Sequence, residues 1–140
     1  MISSPTTRSD RLRRLLEPQS VAVIGASARE GRPGRQVIDV LSLLDPQVPI
    51  YPVTPTYEEI LGLACYAEVG LAPTSDLVIV AGASERVEAD VEAAMAADCG
   101  GVLVFGAPPP DSGRDRWLRR LASLAAEADV PLLGPDTLGY

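Results

Sequence analysis

The sequence contains no histidine and no lysine. Without histidine there is no imidazole to ligate zinc or to activate a serine or cysteine nucleophile, so His-dependent zinc sites and Ser–His or Cys–His dyads are excluded. Without lysine there is no G-x-x-x-x-G-K-[ST] phosphate loop. Cysteine is scarce as well: Cys65 and Cys99 stand far apart. They make neither a disulfide framework nor a metal-ligand pattern, and both are expected to pack as small apolar groups. Aromatics are few, and Trp117 and Tyr51 are expected in the packing and not as stacking platforms. No run is long and apolar enough to span a bilayer. No apolar stretch follows the N-terminal arginines as a secretory signal would require, so a cytoplasmic, reducing setting is expected.

What is present is acidic and unevenly charged. The formal charge is −7, and all twelve basic residues are arginine. Residues 37–110 hold one arginine, Arg86, against eleven acids. Such a body does not suit a general nucleic-acid binder. The remaining arginines cluster at 8–14, 29–35 and 114–120. The middle cluster stands inside a glycine-rich stretch, as solvated surface or as anion contacts.

A chain of 140 residues suits one domain and buries about 70% of its unfolded surface without cross-links. Residues 1–9 are polar and expected to be flexible, leaving 10–140 as the domain. Residues 10–17 read as a short helix ended by Pro18. Residues 20–24 form a continuous apolar run, as in a strand buried on both faces. Val37, Val40, Leu41 and Leu44 mark one helical stripe. Residues 48–53 read as a second strand, which Pro49 and Pro52 push toward a sheet edge. A short helix is expected near residues 57–61. Residues 76–82 are the clearest strand. A helix follows, capped by Ser84, lined by Val87, Val91 and Met95 and ended by Gly100-Gly101. Residues 102–106 give a fourth strand. A helix over 114–128 turns Leu118, Leu121, Leu124, Ala125 and Ala128 inward, and residues 130–134 give a fifth strand. The alternation predicts an α/β, Rossmann-like doubly wound domain of about five parallel strands with helices on both faces. Ligands of such sheets sit beyond the carboxyl ends of the strands. Those ends here are rich in small residues, which let a ligand approach the backbone.

The first of these ends, VAVIGASAREGRPGR (residues 21–35), resembles a phosphate-cradling turn. Gly25, Gly31 and Gly34 do not reproduce the G-x-G-x-x-G spacing of dinucleotide binders, and the second strand runs into Val53-Thr54-Pro55 without the carboxylate that holds a ribose. What remains is a wider loop entering a helix at Gly34. Its free amides and helix dipole favour phosphate, and Arg29, Arg32 and Arg35 can add charge-assisted bonds. No local nucleophile–base pair is present; Ser27 and Ser84 lack a base, and Asp136 reads as a turn residue.

Taken in order, VAVIGASAREGRPGR, IYPVTPTY (residues 50–57) and GPDTLG (residues 134–139) resemble the coenzyme A-binding domain of NDP-forming acyl-CoA synthetases, and more distantly the alpha subunit of succinyl-CoA synthetase. Members read roughly V-A-V-x-G-A-S, G-S-x-G-R, Y-P-V-N-P-x-Y, a strand ending in V-P-A, and G-P-N-C-x-G. The resemblance implies that Gly25, Ala26 and Ser27 turn against the nucleotide, and that Gly31, Arg32, Gly34 and Arg35 form the phosphate side. It implies that Val53, Thr54, Pro55 and Tyr57 form the second-strand exit, with Thr54 where asparagine is usual. Adenosine and phosphates would lie at these first loops, and the pantetheine arm would run toward later rim positions, among them Ala81, Gly82 and Gly106. The later segments depart from the pattern: Ala81–Ser84 reads AGAS, and Asp136-Thr137 replaces Asn-Cys. The resemblance further implies coenzyme A or acyl-CoA as ligand, ATP-grasp and phosphohistidine domains as partners, and no turnover by this histidine-free chain alone. An NAD(P)-binding module and a ligand-free interaction domain stay open as alternatives.

Overall fold

The computed structural model describes residues 8–44, 46–105 and 113–134. The described residues begin with α1 (Arg8–Leu16), two residues earlier than the sequence suggested, followed by β1 (Val21–Ile24), α2 (Pro33–Leu44) and β2 (Ile50–Val53). A two-stranded hairpin, β3 (Glu59–Ile60) and β4 (Leu63–Ala64), comes next. Then follow β5 (Leu77–Val80), α3 (Val87–Ala96), β6 (Gly101–Val104), α4 (Arg114–Ala128) and β7 (Leu132–Leu133). The main sheet has the order β2-β1-β5-β6-β7 and is parallel throughout.

All four residues of β1 are buried, as a central strand covered on both faces requires. Val21 and Val23 face Val37 and Ile38 of α2 together with Ile79 and Ala81. Ala22 and Ile24 face the opposite layer, where Val87 and Val91 of α3 meet Trp117, Leu121 and Leu124 of α4. β2 is the edge strand its prolines suggested, and its free side is partly covered because Tyr66 N–H donates to the Pro52 carbonyl at 2.9 Å while Thr54 N–H donates to the Tyr66 carbonyl at 2.7 Å. Tyr51 stacks edge-to-face on Tyr66, with ring centroids 6.1 Å apart.

Four local expectations are corrected. The short helix near residues 57–61 is instead the β3–β4 hairpin. Leu61 (φ 51°) and Gly62 (φ 81°) both adopt the left-handed conformation that a two-residue hairpin turn demands. Ser84 caps no helix: it opens a single 3-10 turn (Ser84–Arg86), and its hydroxyl makes no capping bond. Gly100-Gly101 does not end α3, which stops at Ala96; Gly101 is the first residue of β6, and a Cβ there would meet Leu15 Cδ1 of α1 at 2.5 Å. On α2 the buried stripe is Gly34, Val37 and Ile38, whereas Val40 and Leu44 are exposed. The helix is rolled so that Gly34 rests on the end of β1.

Candidate functional site

β1 is flanked by β2 on one side and β5 on the other, and the chain leaves β1 for β2 before crossing to β5. The order therefore reverses between β1 and β5, and the crevice at their carboxyl ends is the place such sheets offer a ligand. Gly25 follows β1, and Ala81-Gly82 follow β5; Ala81 N–H donates to the Ile24 carbonyl at 2.8 Å. Gly25 has φ 83°, and a Cβ on it would run into the backbone of Gly82. A Cβ on Gly34 would run into the Gly25 carbonyl oxygen. Three backbones thus touch at the crevice, and no side chain fits between them.

The helix that carries Gly34 begins with Pro33 at its first position, where the missing N–H costs nothing. The amides of Arg35 and Gln36 close onto the Arg32 carbonyl, at 3.0 Å each. The Gly34 N–H is left at the helix mouth, where the dipole favours an anion. The loop before it is shaped by Ser27, whose Oγ accepts the Arg29 N–H at 3.1 Å.

Two clefts open along the rim. The smaller, about 370 Å³, is lined by Gly25, Ser27, Arg32, Pro33, Gly34, Ala81, Gly82, Ala83, Ser84 and Phe105. Its charged side chain is the exposed Arg32. The larger, about 610 Å³, runs along α3 and includes Val53, Thr54, Pro55, Glu68, Arg86, Ala89, Asp90 and Ala93. The two share Gly25, Gly82 and Ala83. Thr54 is buried, and its Oγ1 accepts the Thr56 N–H at 3.2 Å. A threonine can hold this turn as an asparagine would.

The sequence-predicted residues therefore divide. Gly25, Ser27, Arg32, Gly34, Val53, Thr54, Pro55, Ala81 and Gly82 line one or both clefts. Ala26 is buried in the core beside them. Gly31 (φ 86°) sits in the exposed part of the loop with open space around it. Tyr57 packs beside Ile60 on the α2 face, outside both clefts. Arg35 turns inward: its Nη1 donates to the Ala28 carbonyl at 2.5 Å and its Nε to Asp39 Oδ1 at 3.1 Å, so it braces the loop from beneath. Gly106 and residues 135–140, including Asp136 and Thr137, lie outside the described residues. Sequence reasoning missed Pro33, Phe105 and, above all, Asp90. Burial pushes the Asp90 carboxyl above the ordinary carboxylate range, and the nearby Arg86 pulls it partly back. Cys65 and Cys99 form no disulfide, and the second is buried; burial and then Glu59 push the Cys65 thiol above its usual value. No cluster of metal-ligating side chains occurs among the described residues.

The sequence and the fold are shared with known proteins. A family model described as "CoA binding domain" matches residues 19–140. The chain belongs to that family of CoA-binding domains. It is 36% identical over 131 residues to the ADP-forming acetate–CoA ligase I of Archaeoglobus fulgidus, covering 91% of this chain and 19% of that protein. It is 35% identical over 134 residues to trans-feruloyl-CoA synthase FCS1 from an unknown prokaryotic organism, covering 94% of this chain and again 19% of the relative. The structure of the dinucleotide forming acetyl-coenzyme A synthetase 1 of Ca. Korarchaeum cryptofilum, in complex with phosphate and ADP, superposes with a TM-score of 0.83 at 27% identity, over 91% of this chain and 28% of that one. The chain thus spans about a fifth of the length of these two relatives, as one CoA-binding domain. No helix among the described residues is long and apolar enough to cross a membrane.

Proposed function

We propose that this chain holds coenzyme A or an acyl-CoA across the β1–β5 crevice and presents it to chemistry carried out by other domains of an ADP-forming acyl-CoA synthetase. In this reading, residues 10–140 are the binding domain and residues 1–9 lie outside it. The phosphates meet the Gly34 N–H, Ser27 and Arg32 in the smaller cleft. The rest of the nucleotide crosses Gly25 and Gly82 into the larger cleft, past Val53, Thr54 and Pro55. The observation that carries the reading is the contact of Gly34, Gly25 and Gly82, which leaves bare backbone where a phosphate chain would need to approach.

The partners are an ATP-grasp domain and a phosphohistidine-bearing domain, and the setting is cytoplasmic. With no histidine in its sequence, this chain supplies binding and not the phosphoryl relay. The NAD(P) alternative is disfavoured by the β2 exit. Thr54 there turns its hydroxyl onto a backbone amide, and no carboxylate occurs before Glu58 to hold a ribose diol.

The test is amide chemical-shift mapping of the labelled chain during titration with coenzyme A. Shifts should concentrate at Gly25, Ser27, Arg32, Gly34 and Gly82. Shifts confined to the exposed acidic surface, with these amides unmoved, would favour an interaction domain instead.

A further inference from the structure

Asp90 is the least expected residue of the larger cleft. It lies on the inward stripe of α3 with Val87, Val91 and Ala94, where an aliphatic side chain would pack. It is 8% exposed. Its Oδ2 stands at Gly82, 3.1 Å from where a Cβ of that residue would be, and so reaches the floor of the crevice. The absence of a side chain at Gly82 is what gives the carboxyl this position. Among the described residues it takes part in no hydrogen bond, and its electrostatic partner is Arg86, one helical turn earlier and exposed. Buried polar groups are nearly always hydrogen-bonded, so a carboxyl without a partner among the described residues is open to a donor from a ligand.

The clefts also differ in charge. The smaller is lined by Arg32 and the mouth of α2. The larger is lined by Glu68 and Asp90 against the single Arg86. Phosphate is attracted to the first and, beside a carboxylate in a poorly solvated wall, repelled from the second.

We propose that Asp90 is a specificity-determining residue, whose carboxyl receives an uncharged N–H or O–H donor of the bound nucleotide in the larger cleft and so keeps the phosphates in the Arg32 cleft. The inference rests on the coenzyme A reading and deepens it. Coenzyme A carries donors of this kind, as amide N–H, hydroxyl and amino groups, on both sides of its diphosphate. The assignment concerns this shared chemistry.

The test compares the parent chain with Asp90→Asn and Asp90→Ala by calorimetric titration with coenzyme A and with inorganic pyrophosphate, alongside thermal melting without ligand. Asp90→Ala should bind coenzyme A about tenfold or more weakly, since a bond to a charged acceptor is lost. Asp90→Asn, which keeps a carbonyl oxygen, should lose less. Pyrophosphate should bind both variants at least as well as the parent. Without ligand, both variants should melt no lower than the parent, because a buried carboxyl without a partner has been removed. Equal affinity of the parent and Asp90→Ala for coenzyme A would overturn the assignment alone. So would a lowered melting temperature with parallel loss of both ligands, the mark of a merely structural residue. A parent chain that binds no coenzyme A would overturn the coenzyme A reading, and this assignment with it.

Discussion

The carbonyl oxygen of Gly25 occupies the space that a Cβ of Gly34 would need. Gly25 directly follows β1 and Gly34 lies in the first turn of α2, so their contact seats the helix mouth on the crevice. Gly34→Ala must push α2 away from β1. Overpacking of this kind costs about 1–3 kcal/mol, and coenzyme A affinity should fall with it because the Gly34 N–H moves. Gly31→Ala is the contrast. Gly31 has a positive φ, 86°, but nothing stands near its missing side chain. That change should cost only the left-handed conformational penalty, about 1–2 kcal/mol, and leave affinity nearly unchanged. Urea unfolding and a coenzyme A titration on both variants separate the two effects.

The loop arginines should also separate. Arg32 is exposed and lines the smaller cleft. Arg32→Ala should weaken coenzyme A binding by about tenfold to a hundredfold, equivalent to a charge-assisted bond of about 1.5–3 kcal/mol, with melting unchanged. The loss should shrink as ionic strength rises. Arg35 donates to the Ala28 carbonyl and to Asp39. Arg35→Ala should therefore lower stability first, and its effect on binding should follow the loosening of the loop. Thermal melting with and without ligand distinguishes the two: an Arg35→Ala chain that melts like the parent yet binds poorly would mean that Arg35 contacts the ligand itself.

Asp90 should leave a signature in the pH dependence of stability. Its carboxyl is raised in the folded chain by burial, against the opposing pull of Arg86. The folded state therefore holds that proton more tightly than the unfolded state does. The stability it contributes is fully present below the ordinary aspartate range and is lost as pH rises through the raised value. Asp90→Asn removes this step. The stability difference between Asp90→Asn and the parent should accordingly grow in favour of the variant from acid toward neutral pH. Denaturant unfolding across that interval checks it, and a constant difference would mean that the carboxyl titrates in the folded chain as it does in the unfolded one.

The five main strands, their parallel pairing and the edge position of β2 were legible because each rests on a simple physical signal. Residues 21–24 are uniformly apolar, as a doubly covered strand must be, and Pro49 and Pro52 cannot serve a central ladder. The β3–β4 hairpin was not legible. Glu58, Glu59, Ile60 and Leu61 all tolerate a helix, and the turn asks Leu61 for a left-handed conformation that a leucine rarely adopts. Gly62 was the one available signal. The candidate site was legible where backbone decides, at Gly25, Gly34, Ala81 and Gly82. It was obscure where side-chain direction decides. Spacing does not tell which arginine of residues 29–35 turns inward. Asp90 looks like a surface residue until the bare backbone of Gly82 gives its carboxyl a place to lie.

The central claim is that the crevice between β1 and β5 is built for coenzyme A and not for a dinucleotide. Calorimetric titration of the 140-residue chain with coenzyme A, dephospho-coenzyme A and NAD tests it most directly. Saturable binding of coenzyme A, weaker binding of dephospho-coenzyme A if an arginine reads the extra phosphate, and no binding of NAD over the same concentration range are expected. NAD binding as tight as coenzyme A, or tighter, would contradict the account.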